Sequence, residues 1–292
     1  MRLFVTGASG FIGSAVVPEL HRAGHTVVGL ARSDASAEAL VGAGAEVHRG
    51  DLGDLDSLRA GAEKADGVIH LAYVHDFSQM EDAAQIDLAA IEAMGAALEG
   101  TGKPLAIASG TLGLAPGRVG TEHDEPAAVH PRVVNAAATL ALADRGVRPL
   151  VVRLSPTVHG QGDHGFIAVL VQIARDTGVS GYVGDGQNRW NAVHRDDAAA
   201  VFRLAVEQAP AGSVLHAVGE EGIAVRDIAG VIGAHLDLPV VSIPEADAGE
   251  HFGWLGAFLG ADAPASSTIT QELLGWKPTG PGLLEDVARY YV

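Results

Sequence analysis

Thr6-Gly7-Ala8-Ser9-Gly10-Phe11-Ile12-Gly13 follows directly on the apolar run Leu3-Phe4-Val5. A strand must turn sharply into a helix here. Gly7 can take the dihedrals of that turn, and Gly10 leaves room for a phosphate to approach the backbone. Gly13 lets the helix lie close on a sheet. Ile12, Ala15, Val16 and Leu20 keep helical spacing, and a second apolar run, Thr26-Val27-Val28-Gly29-Leu30, comes next. The first N–H groups of that helix, at the positive end of its dipole, are suited to an anion. A glycine triplet alone is a weak signal. Strand, triplet, helix and second strand in this order read as the start of a dinucleotide-binding unit. Gly7, Ser9, Gly10, Phe11, Ile12 and Gly13 are then the residues placed around a pyrophosphate.

Outward from this unit the pattern repeats. Apolar runs at 2–6, 26–31, 45–48, 67–71, 104–108 and 149–154 alternate with amphipathic segments of helix length, as parallel βαβ units do. The continuous apolar character of the runs fits a sheet covered on both faces. Met80, Ala83, Ala84, Asp87, Ile91, Met94 and Leu98 keep helical period, and so do Val133, Ala137, Leu140 and Ala141 within 132–145. The chain is thus read as α/β, with a Rossmann-type doubly wound parallel sheet over 1–155. A smaller C-terminal α/β substrate lobe follows over 156–292. In that lobe the alternation loosens, and a glycine-rich loop, 181–190, is followed by Phe252, Trp254, Phe258 and Trp276. Asp196 and Asp197 are positioned to cap the helix that carries Ala198, Val201, Phe202 and Ala205.

Composition narrows the function classes. The 292 residues carry a formal charge of −17, which argues against nucleic acid or an anionic membrane as partner. Cysteine is absent, which excludes a disulfide framework and a thiolate nucleophile. No charged leader precedes the first strand, and no apolar stretch reaches transmembrane length. A soluble cytoplasmic protein acting on a small molecule is expected, and the alanine- and glycine-rich composition points to a GC-rich bacterial genome. His159, Asp163 and His164 crowd one turn, but without clear metal-ligand spacing, so no metal is expected.

With Thr6 ahead of glycines spaced three and three, the chain resembles the extended and atypical short-chain dehydrogenase/reductase (SDR) superfamily, of the NAD-dependent epimerase/dehydratase kind. Gly50-Asp51-Leu52 stands where such proteins contact adenine, and His70-Leu71-Ala72 where the fourth strand ends beside the cofactor. Arg153-Leu154-Ser155-Pro156-Thr157-Val158-His159-Gly160 resembles the segment that places a proline near the nicotinamide amide. Asp51, Leu52, Leu71, Ala72 and Pro156 join the cofactor residues on this resemblance. It also implies that C-terminal segments pass between the lobes, so the boundary at 155 is nominal. Helices 80–98 and 132–145 would supply the four-helix homodimer interface common in the superfamily, although a buried core explains their alanines equally well.

The family's signature tyrosine, followed four residues later by a lysine, is missing. Pro131-Arg132-Val133-Val134-Asn135-Ala136 is the matching stretch, with Arg132 at the tyrosine position and Ala136 at the lysine position. Substitutes must come from elsewhere. The resemblance implies that a hydroxyl after the fifth strand binds substrate oxygen. Thr111 fits that place best, and Ser109 is the near alternative. Arg132 is suited to holding a carboxylate or polarising a carbonyl, and the Asn135 amide to orienting substrate. Proton donors are sought in His159, His164 and Tyr73, with His75 and Asp76 nearby. At the end of the second strand, Ala31-Arg32-Ser33 replaces the carboxylate that would bind ribose hydroxyls. Arg32 and Ser33 therefore point to NADP, with NADPH preferred over NADH. The expected activity is reduction of a carbonyl or imine of a small molecule. The alternatives are a non-redox cyclase or isomerase, and an NADP-sensing regulatory protein.

Overall fold

The computed structural model describes residues 1–74, 79–126 and 131–292. The first half runs β1 (Arg2–Thr6), α1 (Gly13–Arg22), β2 (Thr26–Ala31), α2 (Asp34–Gly42), β3 (Glu46–Arg49) and α3 (Leu55–Glu63). It continues through β4 (Gly67–His70), α4 (Met80–Ala97), β5 (Pro104–Gly110), α5 (Pro131–Ala141) and β6 (Arg148–Leu154). The second half holds β7 (Thr157–His159), α6 (Phe166–Thr177), β8 (Ser180–Val183), β9 (Arg189–His194) and α7 (Arg195–Gln208). After it come β10 (Ser213–Ala217), β11 (Glu220–Ala224), α8 (Val225–Leu236) and β12 (Val240–Ile243). Short helices α9 (Ala248–Phe252), α10 (Gly256–Leu259), α11 (Thr268–Leu274) and α12 (Leu283–Asp286) complete it.

Seven parallel strands form one sheet in the order β10-β6-β5-β4-β1-β2-β3. The order reverses between β1 and β4. In an open α/β sheet a ligand sits outside the carboxyl ends of the strands at such a reversal. Strand period two sends alternate residues to the two helical layers. Leu3, Val5, Val27, Ile69, Leu150 and Val152 pack with Val16 and Leu20 of α1 and with Val201 and Phe202 of α7. Phe4, Val28, Val68, Leu105, Ile107 and Val151 pack with Leu58 of α3 and with Ile91 and Met94 of α4.

The second lobe has its own core. A three-stranded sheet, β11-β9-β7, and a parallel pair, β12-β8, enclose Ile167, Trp190, Ile228 and Leu255. The division at 155 is crossed: β10 pairs with β6, and Phe202 of α7 lies in the core on the α1 face. The helix expected over 132–145 ends at Ala141, and the chain tightens into a 3-10 turn over Leu142–Arg145. At α7 the cap is not an aspartate. His194 Nδ1 accepts from Asp196 N, while the Asp197 carboxylate accepts from the N–H groups of Thr279 and Gly280. Among the described residues, no helix is long and apolar enough to cross a membrane.

Candidate active site

The glycine loop is shaped by contacts that only glycine permits. Gly7 has φ 67°, and a Cβ there would lie 2.6 Å from the Ala72 nitrogen. At Gly13 it would fall 2.1 Å from the Gly7 carbonyl oxygen. Gly10 closes the turn by donating to the Gly7 carbonyl, 3.0 Å away. Among the described residues, the N–H groups of Phe11, Ile12 and Gly13 have no protein acceptor. Three adjacent donors at a helix start, beside exposed Ser9 and Gly10, form a cradle fitted to a pyrophosphate. At the end of β2, Arg32 is exposed and pairs with no described carboxylate. Ser33 is the N-cap of α2, its hydroxyl accepting from Ser36 N, so that oxygen is committed to the helix end. Asp51 likewise closes its own turn, accepting from Gly53 N at 2.7 Å, and Leu52 packs on the α3 side of the sheet.

A chain of hydrogen bonds runs beneath the carboxyl edge. Ala72 N donates to Thr6 Oγ1 (3.2 Å), and Thr6 donates to His70 Nδ1 (2.7 Å). His70 Nε2 donates to Asp87 Oδ1 (3.0 Å), and Asn135 Nδ2 donates to Asp87 Oδ2 (2.6 Å). Burial works to raise the Asp87 carboxyl, but His70, Asn135 and the charge on Arg132 hold it below its ordinary value. The second Asn135 N–H goes to the Ala84 carbonyl (2.9 Å), and the residue is 3 % exposed. Asn135 therefore ties α5 to α4 and does not orient substrate. Asn135→Ala should cost about 1–3 kcal/mol, because it strands a buried carboxylate oxygen. Urea denaturation would read that loss with cofactor affinity unchanged; a fully stable variant with lost turnover would return Asn135 to the substrate. Asp87 was visible in the sequence as a charge on an apolar helical stripe.

Above this chain, Tyr73 and Arg132 meet. The Arg132 guanidinium carbon lies 4.0 Å from the Tyr73 ring centroid, and its Nη2 donates to the Ala108 carbonyl at 3.3 Å. Burial pushes the Tyr73 phenol up from its ordinary value, and the Arg132 charge opposes that rise. Ser109 follows Ala108 at the carboxyl end of β5, on the strand face shared with Ile107 and the chain of polar groups. Its hydroxyl engages no described residue, so it is the available hydroxyl here. Thr111 is not. It is 1 % exposed, with its oxygen within 3.2 Å of the Leu154 carbonyl and the Asn191 amide. Its role is to join the turn after β5 to β9, which overturns the expectation that it binds substrate. Pro156 lies between β6 and β7, and Leu71 follows β4.

The histidines separate. His159 is fully buried, and its Nδ1 donates to Asp286 Oδ2 at 2.7 Å. Burial pushes its imidazole below the ordinary value despite Asp286. It binds α12 to β7, so it is not the accessible acid expected of it. Beside it, Tyr291 donates to Asp163 (2.8 Å) and accepts from Gly160 N (3.2 Å). The 160–165 turn is thereby fastened to the last turn of the chain. His164 is exposed and sits edge-on to Phe11, ring centroids 6.1 Å apart, with the Arg195 guanidinium 5.4 Å from the same ring. It overhangs the glycine loop rather than the Tyr73 end. His75 and Asp76 lie outside the described residues.

The chain has counterparts among known proteins. The NAD dependent epimerase/dehydratase family model matches residues 3–217. An uncharacterized protein of Schizosaccharomyces pombe is 51% identical over 290 residues, covering 99% of this chain and 98% of its own. A second uncharacterized protein, from Saccharomyces cerevisiae, is 49% identical over 296 residues, covering 100% and 99%. Among solved structures, a dTDP-glucose 4,6-dehydratase from Streptomyces venezuelae with NAD bound superposes with a TM-score of 0.80. It shares 20% identity, with 100% of this chain and 96% of that one covered.

Proposed function

We propose, from the premise that this chain belongs to the NAD dependent epimerase/dehydratase family, that it is a nicotinamide-dinucleotide-dependent reductase of a small carbonyl or imine compound. One observation carries this reading: the Tyr73–Arg132 stack, 4.0 Å from guanidinium carbon to ring centroid, stands beside Ser109 at the carboxyl edge. The family's tyrosine–lysine pair is absent from α5, but its two chemical parts are both here, contributed by different elements. A phenol donates the proton, and a cation stabilises the phenolate that results.

The N–H groups of Phe11, Ile12 and Gly13 would hold the pyrophosphate, and Arg32 a 2′-phosphate. When bound, the reduced nicotinamide supplies a hydride with its electron pair to the carbonyl carbon. Ser109 hydrogen-bonds the carbonyl oxygen and fixes its direction. Tyr73 transfers its hydroxyl proton to that oxygen, giving the alcohol, and water restores the proton. Burial pulls the Arg132 guanidinium below its ordinary value, with Asp87 and Tyr73 opposing, but an arginine is not deprotonated in a protein, so Arg132 acts as a fixed charge. Following NADPH oxidation against a panel of aldehydes, ketones and imines tests the reading. Cofactor binding without turnover of any of them would end it.

The choice of dinucleotide rests on Arg32. Removing one charge-assisted contact to phosphate costs about 1.5–3 kcal/mol, roughly 10- to 150-fold in affinity. Arg32→Ala should weaken NADPH by that factor in a fluorescence titration and leave NADH unchanged. Equal weakening of both would make Arg32 an adenine-stacking residue. Ser33 adds little, since its hydroxyl already caps α2.

A further inference from the structure

Between Arg2 and Arg22 the sequence holds no lysine or arginine. Arg2 pairs with Glu46 at the start of β1, and Arg22 pairs with Glu19 at the far end of α1. The cradle at the start of α1 is therefore built from neutral donors alone. A pyrophosphate is a dianion, and the chain that would receive it carries −17. Neutral N–H groups bind such an anion better when a cation stands beside them.

The second lobe lays a cation on this loop. Arg195 opens α7, and its guanidinium carbon is 5.4 Å from the ring centroid of Phe11. Phe11 is also the residue whose N–H is the first of the cradle's free donors. The stem of Arg195 is held in place by the turn that follows β7. Gly160 has φ 140°, and a Cβ there would lie 3.3 Å from Arg195 Cγ, so the turn packs directly on the stem. The same turn carries His164 to the Phe11 ring.

The guanidinium is seated but not used up. Its Nη1 donates to the Gln161 carbonyl at 2.8 Å. Asp196 Oδ1 stands 3.7 Å from Nε, too far for a hydrogen bond, and the Asp196 side chain is 63% exposed. An ion pair so long and so wet contributes little. Nε is buried without a hydrogen bond, and Nη2 meets no described residue. A buried N–H without an acceptor is costly, and an anion arriving at the loop would supply one.

We propose that Arg195 is the charged half of the pyrophosphate site, a side chain of the second lobe that closes on a dinucleotide held by the first. This rests on the cofactor reading of the glycine loop. Its role differs from that of Arg32, which would meet the 2′-phosphate of NADPH alone. Arg195 would meet the pyrophosphate that NADH and NADPH share.

Calorimetric titration at low and high ionic strength tests this. Wild-type affinity for NADH should fall as salt rises, because salt screens a local cation. On a chain of −17 with no such cation, salt would relieve repulsion and raise the affinity. Arg195→Gln should weaken NADH and NADPH alike, by about 10- to 150-fold, and flatten the salt dependence. Arg195→Lys should recover part of the loss, since it restores the charge without the fork. Thermal midpoints without cofactor show whether each variant folds, and the wild-type salt series decides should Arg195→Gln not fold.

Undiminished affinity in folded Arg195→Gln, or NADH affinity that climbs with salt in the wild type, would overturn the role of Arg195 and leave the glycine loop standing. Loss of NADPH affinity alone would assign Arg195 to the 2′-phosphate and overturn it too. A loss that Arg195→Lys does not recover, with the salt dependence unchanged, would make the residue purely structural. Binding of neither dinucleotide by the wild type would sink the cofactor reading and Arg195 together.

Discussion

Tyr73→Phe is expected to lower kcat for carbonyl reduction by about 10²- to 10⁴-fold, the usual contribution of a positioned general acid. The substitution removes one oxygen and keeps the ring under the Arg132 guanidinium, so the stack and the fold survive. NADPH affinity should be unchanged, because the cradle for the pyrophosphate is built by a different loop. The pH profile supplies an independent check. Tyr73 must be protonated to donate, and burial raises its phenol above the ordinary value near 10. Reduction should therefore run level through neutral pH and fall only in strongly alkaline solution, as the proton is lost. Arg132→Leu should depress the rate at every pH, with Arg132→Lys partly restoring it, since a cation is needed but not a fork. Undiminished turnover in Tyr73→Phe would leave water as the donor and remove the argument for the stack.

Gly10→Asp should abolish dinucleotide binding in a chain that still folds. A Cβ at Gly10 would lie 3.2 Å from the Gly7 carbonyl oxygen, tight but absorbable by a small backbone shift. The carboxylate would then face the pyrophosphate. Two unit charges about 4 Å apart near a protein surface repel by about 4 kcal/mol, roughly a thousandfold in affinity. Calorimetric titration with NADPH and the thermal midpoint without cofactor separate the two effects. A folded variant with wild-type affinity would move the cofactor away from this loop. The neighbouring Gly13 makes a poorer test, since a Cβ 2.1 Å from the Gly7 oxygen disrupts the turn itself.

The large sheet was legible because its rules are local. An apolar run, three glycines at fixed spacing and a helical stripe each announce themselves within about a dozen residues. The strands at 2–6, 26–31 and 149–154 are found where the runs lie, within one residue. The site obeys no such rule. Thr111 looked available because its bonded partner, Asn191, is 80 residues away in another sheet. His159 looked available because Asp286 is 127 residues away. Asn135 is consumed by Asp87 from a different helix. In each case a polar side chain was read as free when burial obliged it to find a distant partner. Tyr73 and Arg132 show the converse. Each was a separate candidate on sequence, and only the packing of α5 against the end of β4 makes them one unit.

The route of the chain through its two sheets also bears on how the molecule can be made. β10 is laid beside β6 only after the polypeptide has traversed β7, α6, β8, β9 and α7. Until then the outer edge of β6 stands open, with Leu150 and Val152 destined for complete burial. Such a late, long-range closure is slow, and an unpaired apolar edge invites pairing with another nascent chain. Cutting the gene after the codon for Ser155 would make that transient edge permanent. The two lobes are consequently one unit of synthesis and refolding, and a recombinant fragment of either half is a candidate for inclusion bodies rather than for crystals.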